Sequence, residues 1–328
     1  MGRVLRAPSL DDARAARSRI ENAVIRTPLV KLDGDPGDPE IYLKLENLQP
    51  IGSFKLRGAL NRMRSLPRGL LSEGVYTASA GNMAQGVAWA ARELGVSASV
   101  VVPDTAPKAK LDAIARLGAK IVSVPYDEWW TTMQSHGRPG MRGVFVHPFA
   151  DPEVMAGNGT IALEILEDLP DVDAILVPWG GGGLTCGIAT VARALAPAAG
   201  TYACEVDGAA PLAAAIAAGE PVAIENRRSF IDGIGGRGVF GEIWPLAREL
   251  VTNCLTASVN EVGDAVVLLA RRARIVAEGA GATPVAVARN WAKVHPQENR
   301  PKRLVCVVSG GNIDAPVLAS LLAGNSPN

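Results

Sequence analysis

Cysteine and histidine are scarce in this chain. Its 328 residues include four cysteines, Cys186, Cys204, Cys254 and Cys306, and three histidines, His136, His147 and His295. No C-x-x-C pair and no H-E-x-x-H spacing is present, so neither a disulfide framework nor a structural zinc site is expected. The cysteines read as small buried hydrophobes in a reducing, cytoplasmic compartment. An excess of either charge is also missing, because 33 basic side chains face 33 acidic ones. That balance leaves no electrostatic footprint for nucleic acid or an anionic membrane. No apolar run approaches the roughly 20 residues that span a bilayer. The N-terminal Met1-Gly2-Arg3-Val4-Leu5-Arg6 lacks an apolar signal core, and Arg6 stands where a myristoylation signal needs Ser or Thr. Repeats, heptads and low-complexity tracts are absent, and only Ser326-Pro327-Asn328 reads as a frayed end.

What is present suits a soluble, two-lobed chain. Hydrophobic residues make up 48% and charged residues 20%, enough to build a sizeable core. Short Val/Ile/Leu runs alternate with Ala-rich helical stretches, the pattern of parallel strands buried on both faces. Strands are predicted at 97–102, 120–124, 174–177, 201–205 and 304–308, with helices near 82–94 and 108–117 and another starting near Leu184. The fold class is therefore α/β, with open, mostly parallel sheets. Crossings near Pro50 and Pro148 divide it into a large lobe, 1–50 with 149–328, and a small lobe, 51–148. Chemistry is expected at the carboxyl ends of the strands.

Four turns carry the candidate chemistry. Ser53-Phe54-Lys55 presents a lysine at the start of a helix, where it is either a surface cation or a Schiff-base amine. Ser79-Ala80-Gly81-Asn82 precedes a helix and either supplies a plain N-cap, through Ser79 or Asn82, or binds a carboxylate or phosphate. Gly180, Gly181, Gly182 and Gly183, before Leu184, follow an apolar strand and can fold into a nest of N–H groups for a phosphate. This stretch has neither the ending of a P-loop nor a G-x-G-x-x-G register. Ser309-Gly310-Gly311-Asn312 follows the last strand, where the Ser309 hydroxyl could make one oriented hydrogen bond to a ring nitrogen. Further glycine clusters around Gly233 and after Glu278 allow close approach of backbone to something flat.

In this order, and over nearly the whole chain, these motifs resemble the fold-type II pyridoxal-phosphate enzymes, specifically the serine/threonine dehydratase and serine racemase group. The resemblance implies a tryptophan synthase β-subunit-like fold with pyridoxal 5'-phosphate carried on Lys55 and Phe54 beside the ring. It implies that Ser79, Ala80, Gly81 and Asn82 hold the substrate carboxylate, with Asn82 also reaching the cofactor. By the same resemblance the glycine loop and Leu184 hold the phosphate, Ser309 faces the pyridine nitrogen, and Gly233 and Glu278 line the ring. The implied activity is a dehydratase, or ammonia-lyase, that converts a β-hydroxy amino acid of the L-threonine or L-serine class to a 2-oxoacid and ammonia. A homodimer is implied as well, and no appended regulatory domain is expected after the Ser309 motif. A neutral serine at the ring nitrogen disfavours a long-lived carbanion, which fits elimination better than transamination.

The chain departs from the family pattern at three places. Racemases of the group carry a second serine where Ala80 stands, so racemisation is not expected. Met83 replaces the usual histidine, and with the pair Trp129 and Trp130 it is similar to dehydratases associated with hydroxyectoine breakdown. The family's metal site pairs a glutamate, matching Glu205, with an aspartate where this chain has Pro211, so no metal is assigned. Trp129 and Trp130 either shape the substrate pocket or pack under a loop. Two competing enzymes remain: a β-replacement synthase using the same Lys55, and a nicotinamide-dependent dehydrogenase reading Glu205 as its ribose acid. A non-catalytic small-molecule-binding regulator on the same fold is the third alternative.

Overall fold

Aliphatic runs in this chain form strands covered on both faces. The computed structural model describes residues 5–34, 39–294 and 301–325. The first four residues, His295 and the end at 326–328 lie outside the described residues. The strands are β1 (Leu29–Lys31), β2 (Glu40–Lys44), β3 (Val75–Ala78), β4 (Ala98–Pro103), β5 (Lys120–Val124), β6 (Val144–Phe145), β7 (Ala174–Pro178), β8 (Gly200–Val206), β9 (Asn253–Ala257) and β10 (Arg303–Val307). The helices are α1 (Leu10–Ile20), α2 (Lys55–Arg64), α3 (Asn82–Leu94), α4 (Lys108–Arg116), α5 (Tyr126–Gln134), α6 (Pro152–Asp168), α7 (Gly183–Leu195), α8 (Pro211–Ala218), α9 (Trp244–Leu250), α10 (Val259–Leu268), α11 (Gly279–Val294) and α12 (Ala315–Leu322).

Six strands form one sheet in the order β1-β2-β10-β7-β8-β9, and four form a second in the order β5-β4-β3-β6. Among the strand pairings of the described residues, β1–β2 alone is antiparallel and the rest are parallel. In the larger sheet, successive side chains point to opposite faces. Leu304, Cys306, Ala174 and Leu176 enter the core under α10 and α11, whereas Val305, Val307, Ile175 and Val177 enter the core against α6 and α7. The smaller sheet buries Val75, Val100 and Val102 with Val87 and Ala91 of α3. Helix α2 packs on both α3 and α6 and so joins the two layers.

All five predicted strands exist, with edges shifted by a residue or two. Strands β1, β2, β3, β6 and β9 were not expected. Each is short or broken by polar residues, and neighbouring strands rather than an apolar run hold it in place. One local expectation is corrected: neither Ser79 nor Asn82 caps α3. Its N-cap is Gly81, with no side-chain capping bond, because Asn82 already lies inside the helix and its amide is used elsewhere, as described below.

Candidate active site

The Ser53-Phe54-Lys55 turn is tied to the end of β10. Gly52 adopts φ +70°, and a Cβ there would lie 2.7 Å from Asn312 Oδ1, so the bend requires glycine. Ser53 then bridges Gly310 in antiparallel fashion, and the Phe54 N–H donates to the Ser309 carbonyl at 3.0 Å. Lys55 opens α2 and points into the cleft. Its Nζ donates to the Pro148 carbonyl at 2.7 Å and lies 5.1 Å from the centre of the Phe54 ring. Burial pulls the Lys55 pKa down to about 8, against the opposing pull of the Glu278 carboxylate. A substantial neutral fraction near physiological pH makes this amine a nucleophile rather than a surface cation.

Two residues further along α2, Arg57 is fully buried and holds the helix down. Its guanidinium donates to Glu46 from Nε and Nη2, both at 2.8 Å, and to Glu164 at 2.6 and 3.0 Å. Lys44 Nζ also meets Glu164, at 2.5 Å. Fork geometry of this kind fixes position as well as charge, so the network sets where Lys55 emerges.

The glycine loop leaves β7 and enters α7 as a cradle in which side chains cannot fit. A Cβ on Gly181 would fall 2.3 Å from the Phe149 ring, and one on Gly183 would fall 2.6 Å from the Phe149 carbonyl. Gly182 is the N-cap of α7, with φ 89°, and its carbonyl accepts the Cys186 N–H. The N–H groups of Gly183, Leu184 and Thr185 come before that first helical bond, at the positive end of the helix dipole. A phosphate matches that array.

Opposite the loop, Asn82 Nδ2 donates to Glu278 Oε1 at 2.9 Å, and Asn312 Nδ2 donates to Asn82 Oδ1 at 2.8 Å. The Glu278 N–H is bonded to the Gly310 carbonyl. Burial pushes the Glu278 carboxyl up to about 7, partly offset by the Asn82 bond. Ser79 Oγ accepts the Gly81 N–H at 3.2 Å.

Lys55, the glycine loop, the Ser79 turn and Glu278 line one cleft of about 470 Å³. It takes in every candidate residue of the sequence reading: Phe54, Lys55, Ser79, Ala80, Gly81, Asn82, the four loop glycines, Leu184, Gly233, Glu278 and Ser309. Met83, Trp129, Trp130 and Phe240 also line it, so the tryptophan pair faces the pocket. Lys110 of α4 and Asp232 form an ion pair across its mouth.

Glu205 does not line the cleft. Its two carboxylate oxygens accept the Leu212 and Ala213 N–H groups at 2.9 Å each, and the Cys254 thiol lies 3.2 Å from Oε2. With both oxygens occupied at the start of α8, this residue is not placed to hold a ribose. Sequence reasoning missed the Pro148 carbonyl, Phe149 and the Arg57 network, which depend on contacts about a hundred residues apart. It also missed the grouping of His136, His147 and Glu242, whose ligand-type atoms lie within 4.8 Å of one another.

The comparisons with known proteins agree with this geometry. The family model described as "Pyridoxal-phosphate dependent enzyme" matches residues 20–310. An L-threonine ammonia-lyase of Thermotoga maritima is 36% identical over 96% of this chain and 78% of its own length. One from Geobacter sulfurreducens is 41% identical over 93% of this chain and 75% of its own. Among solved structures, maize serine racemase superposes with a TM-score of 0.88 at 29% identity, covering 97% of this chain and 98% of the other. The processed form of a threonine deaminase from Solanum lycopersicum does so with a TM-score of 0.86 at 31% identity, covering 99% and 97%. A match over most of the chain, on the residues that build the cleft, places this protein in the family of pyridoxal-phosphate-dependent enzymes.

Proposed function

We propose that the protein is a lyase that uses pyridoxal phosphate to dehydrate and deaminate a β-hydroxy amino acid of the threonine or serine class, releasing a 2-oxoacid and ammonia. One observation carries the reading: a lysine amine whose pKa burial lowers, Lys55, shares one cleft with a glycine cradle at the start of α7. The cofactor fits these residues. The cradle that a Cβ would fill suits the phosphate, Lys55 Nζ suits the aldehyde carbon, and Ser309 Oγ offers the ring nitrogen one neutral hydrogen bond. Asn82 would meet the ring oxygen, with Gly233 and Glu278 beside the ring.

When bound, pyridoxal phosphate supplies an electron sink that acidifies the substrate Cα–H. The chain's own residues do the rest. Lys55, neutral in a good fraction of molecules, accepts the Cα proton on Nζ. Ser79, Ala80, Gly81 and Asn82, at the start of α3, hold the substrate carboxylate against backbone donors. Ser309 supplies no formal charge at the ring nitrogen, which favours loss of the β-hydroxyl over transamination. Trp129, Trp130 and Phe240 make one wall apolar and keep water from the reacting carbon.

The ammonia-lyase names of the relatives support elimination, and so does Ala80, which has no ionisable group to return a proton as a racemase needs. A β-replacement synthase would use the same lysine and would be distinguished by sulfide-dependent cysteine formation from an activated serine. Cytoplasmic location and a homodimer belong to the same proposal. The deciding experiment offers L-threonine, L-serine and 3-hydroxyaspartate separately while 2-oxoacid and cofactor absorbance are followed. Lys55→Ala is expected to abolish both product and the lysine-bound absorbance, and turnover retained in that variant overturns the reading.

A further inference from the structure

We infer that His147 is a positioning residue for the reactive amine and acts through the carbonyl of Pro148. Its Nδ1 accepts two consecutive backbone N–H bonds, from Phe149 at 3.2 Å and from Ala150 at 2.7 Å. These bonds close a tight turn, and the peptide carbonyl at its head, Pro148 O, is the one that holds Lys55 Nζ at 2.7 Å. The orientation of that carbonyl is therefore set by the imidazole rather than by a strand, since β6 ends at Phe145. The same turn places Phe149 against Gly181 and Gly183. One side chain thus sets the register of the lysine and of the phosphate cradle together.

The ring itself is held from several sides. His147 is 1% exposed. It stacks on His136 with centroids 4.3 Å apart and meets the Phe149 and Phe240 rings edge-on. His136 adopts φ 55° just after α5, and its Nε2 lies 2.6 Å from Glu242 Oε1, ahead of α9. That pair clamps the stacking partner between the two layers.

By composition, His136, His147 and Glu242 could pass for a metal site. The hydrogen bonds argue otherwise. With Nδ1 accepting two N–H groups, the ring proton of neutral His147 sits on Nε2, and the ring has no second lone pair to offer an ion.

The test compares His147→Asn, whose Oδ1 can stand near the place of Nδ1 and accept the same bonds, with His147→Leu, which cannot. The inference rests on Lys55 being the reacting amine, and the Lys55→Ala experiment settles that separately. Two readouts are needed: kcat and KM of the holoenzyme with L-threonine, and the rate at which the cofactor-stripped full chain takes up pyridoxal phosphate. His147→Leu is expected to lower kcat by roughly 10- to 100-fold, the scale for a reacting group displaced by about 1 Å, with KM within about twofold. Uptake should slow by a similar factor, and His147→Asn should restore both to within a few-fold. Should His147→Leu fold poorly, His147→Gln keeps a polar side chain with a misplaced acceptor and is expected to show the same loss. Wild-type kcat and uptake in the variants lacking the acceptor overturn the inference. So does an equal loss in His147→Asn and the other variants, which would mark His147 as packing alone.

Discussion

Replacing Arg57 with leucine tests what holds Lys55 in place. Arg57, Glu46, Glu164 and Lys44 form a buried cluster of two cations and two carboxylates. Removing the guanidinium leaves both carboxylates facing one ammonium, and breaking a buried pair from one side costs about 3–5 kcal/mol. The pH dependence is more diagnostic than the loss itself. Burial, the largest single influence, would raise the Glu46 carboxyl, but the charge and hydrogen bonds of Arg57, with smaller help from Thr27 and Lys44, together leave it below its ordinary value. A depressed carboxyl contributes stability above its unfolded pKa of about 4.3 and loses it as pH falls through the folded value. This network is therefore expected to add no slope to the wild-type urea midpoint from pH 8 to pH 5.5, where any slope comes from other groups such as Glu278. In Arg57→Leu the burial effect wins, the carboxyl rises above 4.3, and the folded state takes up the proton first. The variant should gain stability over wild type as pH falls across the same window, by up to about 1.4 kcal/mol per pH unit for each proton linked. Urea midpoints at four pH values measure both effects. A midpoint at pH 8 equal to wild type, or a pH profile in the variant that runs parallel to that of wild type, refutes the assignment of this network as the anchor of α2.

Two further outcomes follow from the cleft. Gly181→Ala drives a methyl group into the Phe149 ring; at about 1–3 kcal/mol for such overpacking, pyridoxal phosphate should bind roughly 5- to 150-fold more weakly in an equilibrium titration. Unchanged affinity would mean that the cradle is not the phosphate site. Glu278, with its carboxyl near 7 in the folded chain and about 4.3 unfolded, binds more protons folded than unfolded between those values. Stability should therefore fall as pH rises across that window. Glu278→Gln removes this slope and should melt above wild type at pH 8, and a lower melting point there contradicts the burial of that carboxylate.

Much of the cleft is legible in the sequence because its parts are contiguous. The Ser79 turn, the glycine loop and Ser309 each follow a strand, the lysine turn opens a helix, and each carries its conformational requirement in its own residues. What could not be read depends on distance along the chain. Arg57 looks like any helical arginine until Glu164, 107 residues away, comes to rest on it. His147 has no motif, because it is met by backbone N–H groups and by several aromatic rings rather than by a side chain of defined spacing. The strands that escaped notice share this cause: β3 is four residues long, and its Tyr76 and Thr77 disguise a segment buried at every position.

Lys55 and Arg57 show how one helix turn yields two opposite protonation outcomes. Both side chains sit on α2, Arg57 fully buried and Lys55 part-buried in the cleft, and in both the largest single influence on the pKa is burial, which disfavours charge. Arg57 is met by two carboxylates in direct contact, and their charges and hydrogen bonds overcome burial, so its pKa ends above the ordinary value. Lys55 is met by a neutral carbonyl and, without a direct hydrogen bond, by the Glu278 carboxylate, so burial prevails. The number of anions within contact separates the two, since the more deeply buried side chain is the one that keeps its charge. It follows that the cleft must keep carboxylates off Lys55 while holding its amine in a defined direction. A peptide carbonyl does both, since it accepts a hydrogen bond yet brings no net charge to stabilise the ammonium. That requirement explains why the lysine is aimed by a backbone group, and why the side chain that fixes that backbone matters to it.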